Sequence, residues 1–275
     1  MLDFTDRTVL ITGVGAGIGR ATALMFAEAG ARVVGVEIDP GLAAETGSAL
    51  GAGHHVVTAD ATDPRTALDV AALIGREHGG LDVLVNNVGD FLRVIAPFEE
   101  ISDADIDRLY AINLRHIFTM SRACIPLLRM HAPGSSIVSV SSIEGLRGMP
   151  NGTVYAAFKA AVTGFTQSLA LELGPDGIRV NLIAPETTDS RQVPLDKIVR
   201  PENRDLVPHW IPQARFGVPQ DHAHAILFLA SPLAGWITGA ALPVDGGSRA
   251  AGGWYRAPTG GWTNMPRMAR PEGSA

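Results

Sequence analysis

The stretch TVLITGVGAGIGRATALMFAEAG, residues 8–30, joins a β-branched apolar run to a glycine-rich turn and then to an apolar pattern of helical period. The first run predicts a strand, and the pattern after the turn predicts a helix. Glycines let the backbone turn tightly and approach a pyrophosphate, whose negative charge is favoured at a helix N-terminus. The stretch therefore predicts a strand, a turn and a helix that bind a nucleotide phosphate.

The glycine spacing departs from G-x-G-x-x-G and matches T-G-x-x-x-G-x-G, with Thr12, Gly13, Gly17 and Gly19 at the fixed positions. A glycine-rich turn is also compatible with a purely structural role, but its place between a strand and a helix favours phosphate binding. The candidate cofactor-binding residues in this turn are Gly13, Gly17, Ile18 and Gly19.

Runs rich in Val and Ile alternate with helical patterns along most of the chain, which is typical of βαβ units and a parallel sheet. The predicted strands are residues 8–12, 32–37, 55–59, 82–86, 136–141, 179–184 and 241–244. The predicted helices are residues 18–29, 41–50, 64–78, 102–130, 153–173 and 220–230. Because the connections are short, the pattern predicts one α/β domain over residues 1–248, a doubly wound seven-stranded parallel sheet with helices on both faces.

Two regions interrupt this alternation. Residues 186–217 are rich in Pro and charge and lie between the last two predicted strands, which predicts a lid or substrate-binding segment. Residues 249–275 form a tail rich in Gly and Pro that nevertheless contains Trp254, Tyr255 and Trp262. Because disordered tails seldom carry such residues, the alternatives are a tail that docks on a neighbour or near the site and a flexible terminus.

The composition is that of a globular protein, with 275 residues, 46% hydrophobic, 18% charged, and a net charge of −6. No Lys/Arg cluster is present, which argues against a nucleic-acid or membrane-binding surface. The first strand begins so early that no signal peptide is expected, and no apolar run approaches the roughly 18 residues of a membrane span. We therefore expect a cytoplasmic protein whose partner is a small molecule.

The cysteine and histidine content argues against a metal site. Cys124 is the only cysteine and lies in an apolar helical pattern typical of a buried thiol, so neither a disulfide nor a cysteine-based zinc site is expected. The eight histidines show no ligand spacing, and His222 and His224 face different ways on a helix. We expect no metal in the reaction.

Glu37 closes the second predicted strand, where an acidic group accepts hydrogen bonds from adenosine ribose hydroxyls. A carboxylate there also repels a 2′-phosphate, and the nearby positions Ala16 and Ile38 offer no cation to bind one. The residue predicts NAD rather than NADP as the cofactor. Asp39 is an alternative for the same role, and a solvated carboxylate at a strand end is another.

Further cofactor contacts are expected after the third and fourth predicted strands, because parallel strands bind ligands at their carboxyl ends. Asp60 and Ala61 are placed to meet the adenine, while Asn87 and Gly89 would pass beneath the adenine and the ribose.

The segment TVYAAFKAA, residues 153–161, places Tyr155 and Lys159 on one face of a predicted helix. A surface pair is the simple explanation. The alternative is chemical: hydride transfer at a carbinol carbon requires a group that removes or supplies the proton on the oxygen. A neighbouring ammonium and the positive charge of an oxidised nicotinamide both favour the phenolate, so Lys159 and the cofactor together are expected to lower the pKa of Tyr155 from its ordinary value near 10.

With T-G-x-x-x-G-x-G, NNVG, SVSS and Y-x-x-x-K in this order, the chain resembles the classical short-chain dehydrogenase/reductase family over roughly residues 5–248. The resemblance implies a seven-stranded Rossmann-type domain, a nicotinamide cofactor and commonly a homotetramer. It also implies a catalytic tetrad of Asn113, Ser142, Tyr155 and Lys159, in which Ser141 is the alternative to Ser142.

The resemblance also implies the role of each member of the tetrad. Ser142 holds the substrate oxygen against Tyr155, the general acid/base. Lys159 also binds the nicotinamide ribose, and Asn113 supports a water-linked proton path to Lys159; a polar residue that kinks a helix is the other interpretation of Asn113.

The chain departs from the family pattern at two positions. Val88 stands where the family usually has Ala, and Pro185 is followed by Glu186 where the family usually has Gly. Thr188 still fits the position that meets the nicotinamide carboxamide, and Pro185 remains a candidate contact whose loop is made less certain by the missing glycine.

Substrate specificity is expected from Phe91 and Leu92, from Ile143 and Glu144, and from the 186–217 insertion. These residues are mostly apolar, which favours a hydrophobic or cyclic secondary alcohol or ketone, including a ring cis-dihydrodiol; Glu144 would meet a second hydroxyl or form a loop salt bridge. The alternatives are an NADP-linked carbonyl reductase, a nicotinamide-assisted epimerase or dehydratase and, from another class, a non-catalytic NAD-binding regulatory protein.

Overall fold

The computed structural model describes residues 2–191, 193–201, 203, 207, 211–252, 255–256 and 262–263. Seven parallel strands form one sheet in the order β3-β2-β1-β4-β5-β6-β7. This order reverses direction between β1 and β4, which is the doubly wound Rossmann-type arrangement. The predicted fold class is confirmed.

The strands match the predicted ones closely. They are β1 (Thr8–Thr12), β2 (Arg32–Glu37), β3 (His55–Thr58), β4 (Val83–Asn86), β5 (Ser136–Val140), β6 (Arg179–Pro185) and β7 (Ala241–Val244). The principal helices are α1 (Gly17–Glu28), α2 (Pro40–Leu50), α3 (Pro64–His78), α4 (Asp103–Tyr110), α5 (His116–Met130) and α6 (Thr153–Leu173). Further along the chain lie α7 (Leu195–Ile198), α8 (Pro219–Ala230) and the short α9 (Ser248–Ala251).

Two apolar layers cover the sheet. On one face, α1 and α8 pack together, with Phe26 and Ile226 fully buried among side chains of β1. On the other face, Ile74 of α3, Met120 of α5 and Leu169 of α6 pack over the sheet. Because both faces are covered, the strands are apolar on both sides, and the open edge at the strands' carboxyl ends remains for ligands.

The single predicted helix over residues 102–130 is interrupted. One π-helical turn, Ala111–Arg115, separates α4 from α5. The buried Asn113 lies in this turn, and its Nδ2 donates to the carbonyl oxygens of Leu109 at 3.0 Å and Asp90 at 2.7 Å. A π turn widens the helix locally and is frequent at functional sites. The prediction of one uninterrupted helix over residues 102–130 was wrong. The interruption accompanies the hydrogen bond from Asn113 to Asp90, a residue that lies outside the helix.

The structure describes part of each of the two regions that interrupt the alternation. The insertion includes α7, and Thr188 forms an isolated parallel bridge with Gly217. In the tail, Tyr255–Arg256 and Trp262–Thr263 form a two-stranded antiparallel ladder, β8-β9. Trp254 lies outside the described residues, so docking of the tail stays a prediction. Among the helices of the described part, none is long and apolar enough to cross a membrane.

Candidate active site

The glycine turn after β1 has a conformation that side chains would prevent. Gly13 and Gly17 have φ values of +73° and +55°, in the left-handed region that favours glycine. A Cβ on Gly19 would overlap the carbonyl oxygen of Gly13. The turn therefore brings the backbone close to itself and leads directly into the N-terminus of α1, as a phosphate-binding turn requires.

Glu37 lies against this turn. Its Oε2 accepts a hydrogen bond from the backbone N–H of Gly15 at 2.7 Å, and its Oε1 accepts one from Asp39 at 3.0 Å. The Asp39 carboxylate instead caps α2 by accepting from the N–H groups of Gly41 and Leu42. Between the two alternatives, Glu37 is therefore the one whose carboxylate faces the glycine turn.

The loop after β4 is fastened to the same turn. The Nδ2 of Asn87 donates to the carbonyl oxygens of Thr12 at 3.0 Å and Gly13 at 3.1 Å. The Thr12 hydroxyl accepts from the N–H groups of Asn87 and Val88. The Val88 side chain is partly buried against the core and lies beside Gly13.

The loop after β3 lies at the same sheet edge. The exposed Asp60 accepts hydrogen bonds at 2.8 Å from both the backbone N–H and the hydroxyl of Thr62, and Ala61 is buried. The Asp60 carboxylate therefore stabilises a turn in this loop. The contact with the adenine that was expected at this loop stays a prediction.

Tyr155 and Lys159 lie together in α6. The Nζ of Lys159 lies 5.7 Å from the centroid of the Tyr155 ring and donates to the carbonyl oxygen of Val140 at 3.2 Å. Only 2% of Lys159 is exposed. Burial lowers the pKa of Lys159 to about 8, and the negative charge of Asp90 opposes this shift.

The pKa of Tyr155 is raised to about 12 rather than lowered. Burial is the main cause, the charges of Glu144 and Asp90 add to it, and the hydrogen bond with Ser142 acts in the opposite direction. Burial of the phenol thus raises this pKa even with the Lys159 ammonium over the ring, and the lowering expected from Lys159 together with an oxidised nicotinamide stays a prediction.

The two serines after β5 have different partners. The Ser141 hydroxyl donates to the carbonyl oxygen of Lys159 at 2.8 Å, which fastens α6 to the end of β5. The Ser142 hydroxyl is close enough to Tyr155 to lower its pKa and accepts from the N–H of Glu144 at 3.2 Å. The geometry therefore places Ser142, and not Ser141, beside the phenol.

Asn113 completes the group from the other side. Its Oδ1 accepts from the N–H of Asp90 at 3.1 Å, so the amide holds both backbone groups of that residue. A Cβ on Gly89 would lie 2.5 Å from Lys159 Nζ and 3.2 Å from Asn113 Oδ1. Gly89 is thus needed for the close approach of the β4 loop to Lys159.

The residues predicted to contact substrate differ in their surroundings. The Phe91 ring meets the Tyr155 ring edge to face, with centroids 6.4 Å apart. Leu92 follows it with a φ of +51°, and its N–H donates to Asp90 at 2.6 Å. Ile143 is only 1% exposed, so it offers no surface to a substrate. The prediction that Ile143 contacts the substrate was therefore wrong, because the short 3-10 turn Ile143–Gly145 directs this apolar side chain inward.

Glu144 forms the loop salt bridge that was the alternative to a substrate contact, and this pair belongs to a buried ion network whose other member, Glu186, was not predicted. Arg147 donates to both oxygens of Glu144, at 2.8 and 3.2 Å, and its Nη2 lies 2.9 Å from Glu186 Oε2. Ser248 donates to the same oxygen of Glu186. The side chains of Arg147, Glu144 and Glu186 are 9%, 11% and 4% exposed. Glu186, found where glycine was expected, thus joins the loops after β5 and β6.

Pro185 is the last residue of β6, and Thr188 lies on the loop that follows. The Thr188 hydroxyl donates to the carbonyl oxygen of Glu186 at 2.7 Å and lies 2.6 Å from His222 Nε2. Burial lowers the pKa of His222 to about 4, so this imidazole is neutral. A cavity of about 330 Å³ opens beside Glu186 and His222, and none of the four tetrad residues lines it.

A sequence profile for the family described as enoyl-(acyl carrier protein) reductase matches residues 13–249. The chain belongs to the classical short-chain dehydrogenase/reductase family. This match begins directly after β1 and covers the glycine turn, the predicted tetrad residues and the six strands β2 to β7.

Relatives within the short-chain dehydrogenase/reductase family act on different substrates. The L-rhamnose 1-dehydrogenase (NAD(P)(+)) of Sphingomonas sp. strain SKA58 is 38% identical, over 88% of this chain and 95% of the relative. The 7α-hydroxysteroid dehydrogenase complexed with NADH and 7-oxo glycochenodeoxycholic acid has a TM-score of 0.82 at 33% identity, covering 89% of this chain and 95% of that one. The 3-ketoacyl-(acyl-carrier-protein) reductase of Brucella melitensis complexed with NADH has a TM-score of 0.80 at 32% identity, covering 90% and 99%.

Proposed function

We propose that this protein is an NAD-dependent oxidoreductase that transfers a hydride between nicotinamide and a secondary alcohol or ketone. The observation that carries the proposal is the grouping of a partly buried phenol with the Ser142 hydroxyl and the buried ammonium of Lys159. This arrangement offers one hydrogen-bonding group to hold a substrate oxygen and one to exchange its proton.

The residues at the sheet edge fit a dinucleotide. A backbone turn that excludes side chains leads into a helix N-terminus, and the Glu37 carboxylate lies against that turn. The residues that we propose to hold the cofactor are Gly13, Gly17, Ile18, Gly19, Glu37, Asp60, Ala61, Asn87, Gly89, Tyr155, Lys159, Pro185 and Thr188. A bound nicotinamide would supply the acceptor or donor of the hydride.

Tyr155 removes the proton from the alcohol oxygen during oxidation and returns it during reduction. Ser142 donates a hydrogen bond to that oxygen and holds it beside the phenol. Lys159 places its positive charge over the Tyr155 ring, and Asn113 fixes the loop that packs on Lys159. Because burial holds the pKa of Tyr155 near 12, proton transfer must be concerted with the chemical step or assisted by further positive charge.

We infer that the substrate is hydrophobic or cyclic. Phe91 presents an aromatic face next to Tyr155, and Leu92 follows it in a partly buried loop. Related dehydrogenases of this family include a steroid and a sugar dehydrogenase, both of which act on ring compounds. Glu144 is engaged by Arg147, so it contributes charge near the pocket rather than a free carboxylate.

We also propose that the protein is a homo-oligomer, a tetramer by family resemblance. Of the nine large apolar side chains that are exposed among the described residues, the three most exposed are Leu171 at 81%, Leu233 at 73% and Trp236 at 100%. Surface of this kind is typical of subunit interfaces. We propose that residues 1–248 form the catalytic domain and that residues 249–275 form a separate tail.

The test is a turnover assay with NAD and NADP against a panel of secondary alcohols, including steroids, sugars and ring cis-dihydrodiols. We expect NAD reduction with at least one member, and a 10²- to 10⁴-fold loss of kcat in Tyr155→Phe with NADH affinity retained, because general acid/base catalysis contributes about that factor. The matched control is Tyr110→Phe, since Tyr110 packs against Phe158 outside the tetrad.

Near-normal turnover in Tyr155→Phe would place the base elsewhere. NADH binding without turnover of any panel member would instead favour a regulatory protein, and equal use of both cofactors would favour the NADP-linked carbonyl reductase.

A further inference from the structure

His55, Glu77 and His78 lie together at the sheet edge opposite the active site. His55 is the first residue of β3, an outer strand, whereas the other two residues end α3. The active site occupies the carboxyl ends of the strands, so this cluster stands apart from the catalytic group. It is formed by two elements that are distant in sequence.

The three side chains converge on a small volume. The Nε2 of His55 lies 3.1 Å from Glu77 Oε2, and the His55 and His78 ring centroids are 5.9 Å apart. One potential ligand atom from each residue lies within 4.8 Å of the other two. In a tetrahedral zinc site with bonds of about 2.0–2.2 Å, ligand atoms lie about 3.3 Å apart, so a small side-chain adjustment brings these three to a common ion.

His78 supplies an independent observation. Its Nε2 atom is buried and has no hydrogen-bond partner within the described part of the chain. A buried polar atom without a partner costs about 1–3 kcal/mol, so a native structure normally satisfies it. A metal ion bound at this nitrogen would remove that cost.

We propose that His55, Glu77 and His78 bind a divalent transition-metal ion, with Zn²⁺ as the best match. Two imidazole nitrogens and one carboxylate oxygen are ligands that zinc accepts, with a fourth position left for water. The ion joins the outer strand β3 to the end of α3 and takes no part in hydride transfer.

The surrounding charges are compatible with a cation. Arg76 binds the other oxygen of Glu77, at 2.9 Å from Oε1, so Oε2 faces His55. Arg32 is paired with Asp6 at 2.8 Å. The C-terminal end of α3 carries partial negative charge, which favours a bound cation. His55 and Glu77 are exposed, which gives an ion access from solvent.

The experiment uses the full chain without an affinity tag, first stripped with EDTA and then titrated with ZnSO₄ against a chromophoric chelator. We expect one zinc ion per chain, and at least about a 100-fold weaker affinity in His55→Gln/His78→Gln, because even outer-shell changes at metal sites cost 10–100-fold. Zinc should also raise the Tm of the parent chain and leave that of the double variant unchanged. His224→Gln, an exposed histidine on α8, is the matched control and should bind zinc like the parent.

The proposal is overturned if the parent chain shows no saturable zinc binding, or if the double variant binds zinc as tightly as the parent. Thermal unfolding of each variant in EDTA shows whether it is folded, and Glu77→Gln provides a second variant if the double variant is not. Turnover of NAD by a folded variant should equal that of the parent, which separates this test from that of the proposed activity.

Discussion

Lys159 and Arg147 are both buried cations within the proposed active-site region, yet their surroundings move their pKa values in opposite directions. For Lys159, burial lowers the pKa to about 8, and its Nζ donates to one backbone carbonyl. For Arg147, burial acts in the same direction, but the hydrogen bond with Glu144 and the charge of Glu186 outweigh it and raise the pKa. Among the described residues, no carboxylate forms an ion pair with Lys159.

This difference separates the charge that we propose to be catalytic, that of Lys159, from the structural charge of Arg147. Arg147 is neutralised by two carboxylates, so its positive charge is directed to them and holds two loops together. Among the residues that the structure describes, Lys159 has no counter-ion of that kind, so its charge remains available to a phenolate or a cofactor at a cost to the fold.

Substitution of Arg147, the cation that is paired with two carboxylates, should destabilise the fold most. In Arg147→Met the Glu144 and Glu186 carboxylates stay buried without their partner, and we expect the free energy of unfolding to fall by about 3–5 kcal/mol, as measured by urea denaturation. The control is Arg129→Met, because Arg129 pairs with Asp176 on the surface and should change the value by less than about 1 kcal/mol. Equal stability of the two variants would show that the buried network is not a structural element.

Substitution of Lys159, the buried cation without an ion-pair partner among the described residues, should change the free energy of unfolding in the opposite direction. Lys159→Met relieves the desolvation of the ammonium, and we expect the free energy of unfolding at pH 7 to rise by about 1–3 kcal/mol while turnover is lost. The exposed Lys197→Met is the matched control and should change neither quantity. A Lys159→Met protein less stable than the parent would mean that the lysine has a stabilising partner.

The pH dependence of the free energy of unfolding tests whether burial of the Lys159 ammonium causes this difference. The pKa of Lys159 is about 8 in the folded protein and 10.5 in the unfolded chain, so between these values the unfolded chain binds more protons. Parent stability should therefore rise relative to Lys159→Met as pH increases from 8 to 10.5, and the full deficit should be present below pH 8. Urea denaturation of both proteins at pH 7, 9 and 10 measures this. A difference that stays constant with pH would contradict the assigned cause.

Glu37 extends the comparison to an anion that is held by backbone N–H groups. We expect the parent to prefer NAD over NADP at least about tenfold in kcat/KM, equivalent to 1.4 kcal/mol, and Glu37→Gln to lose most of this preference. Asp39→Asn is the control, because Asn still caps α2 and the residue faces away from the glycine turn. A preference that follows Asp39 instead would reassign the role.

Much of the architecture was predictable because its signals are local. The strands TVLIT, RVVGVE and ALPV have the predicted bounds, since β-branched runs between turn residues favour extended backbone. The interruption of residues 102–130 was not predictable, because it depends on Asn113 binding Asp90 across a loop. Ile143 was misassigned for a similar reason: an apolar residue next to a site faces either the pocket or the core, and sequence does not distinguish them.

Arg147 and Glu186 show the same limit within the site. Glu144 and Arg147 have the spacing of a local ion pair, which was the available signal, but nothing in the sequence places Glu186 beside them. His55 and His78 likewise show no ligand spacing, and only the position of α3 beside β3 brings them together.

By itself the sequence determined the alternation of strands and helices, the glycine turn and the placing of Tyr155 next to Lys159, because backbone preference and helical period act over a few neighbouring residues. The tertiary structure alone decided which carboxylate meets which cation and whether the pKa of Tyr155 rises or falls. These quantities depend on burial and on charges brought together from distant segments, and desolvation of a group is set by everything packed around it.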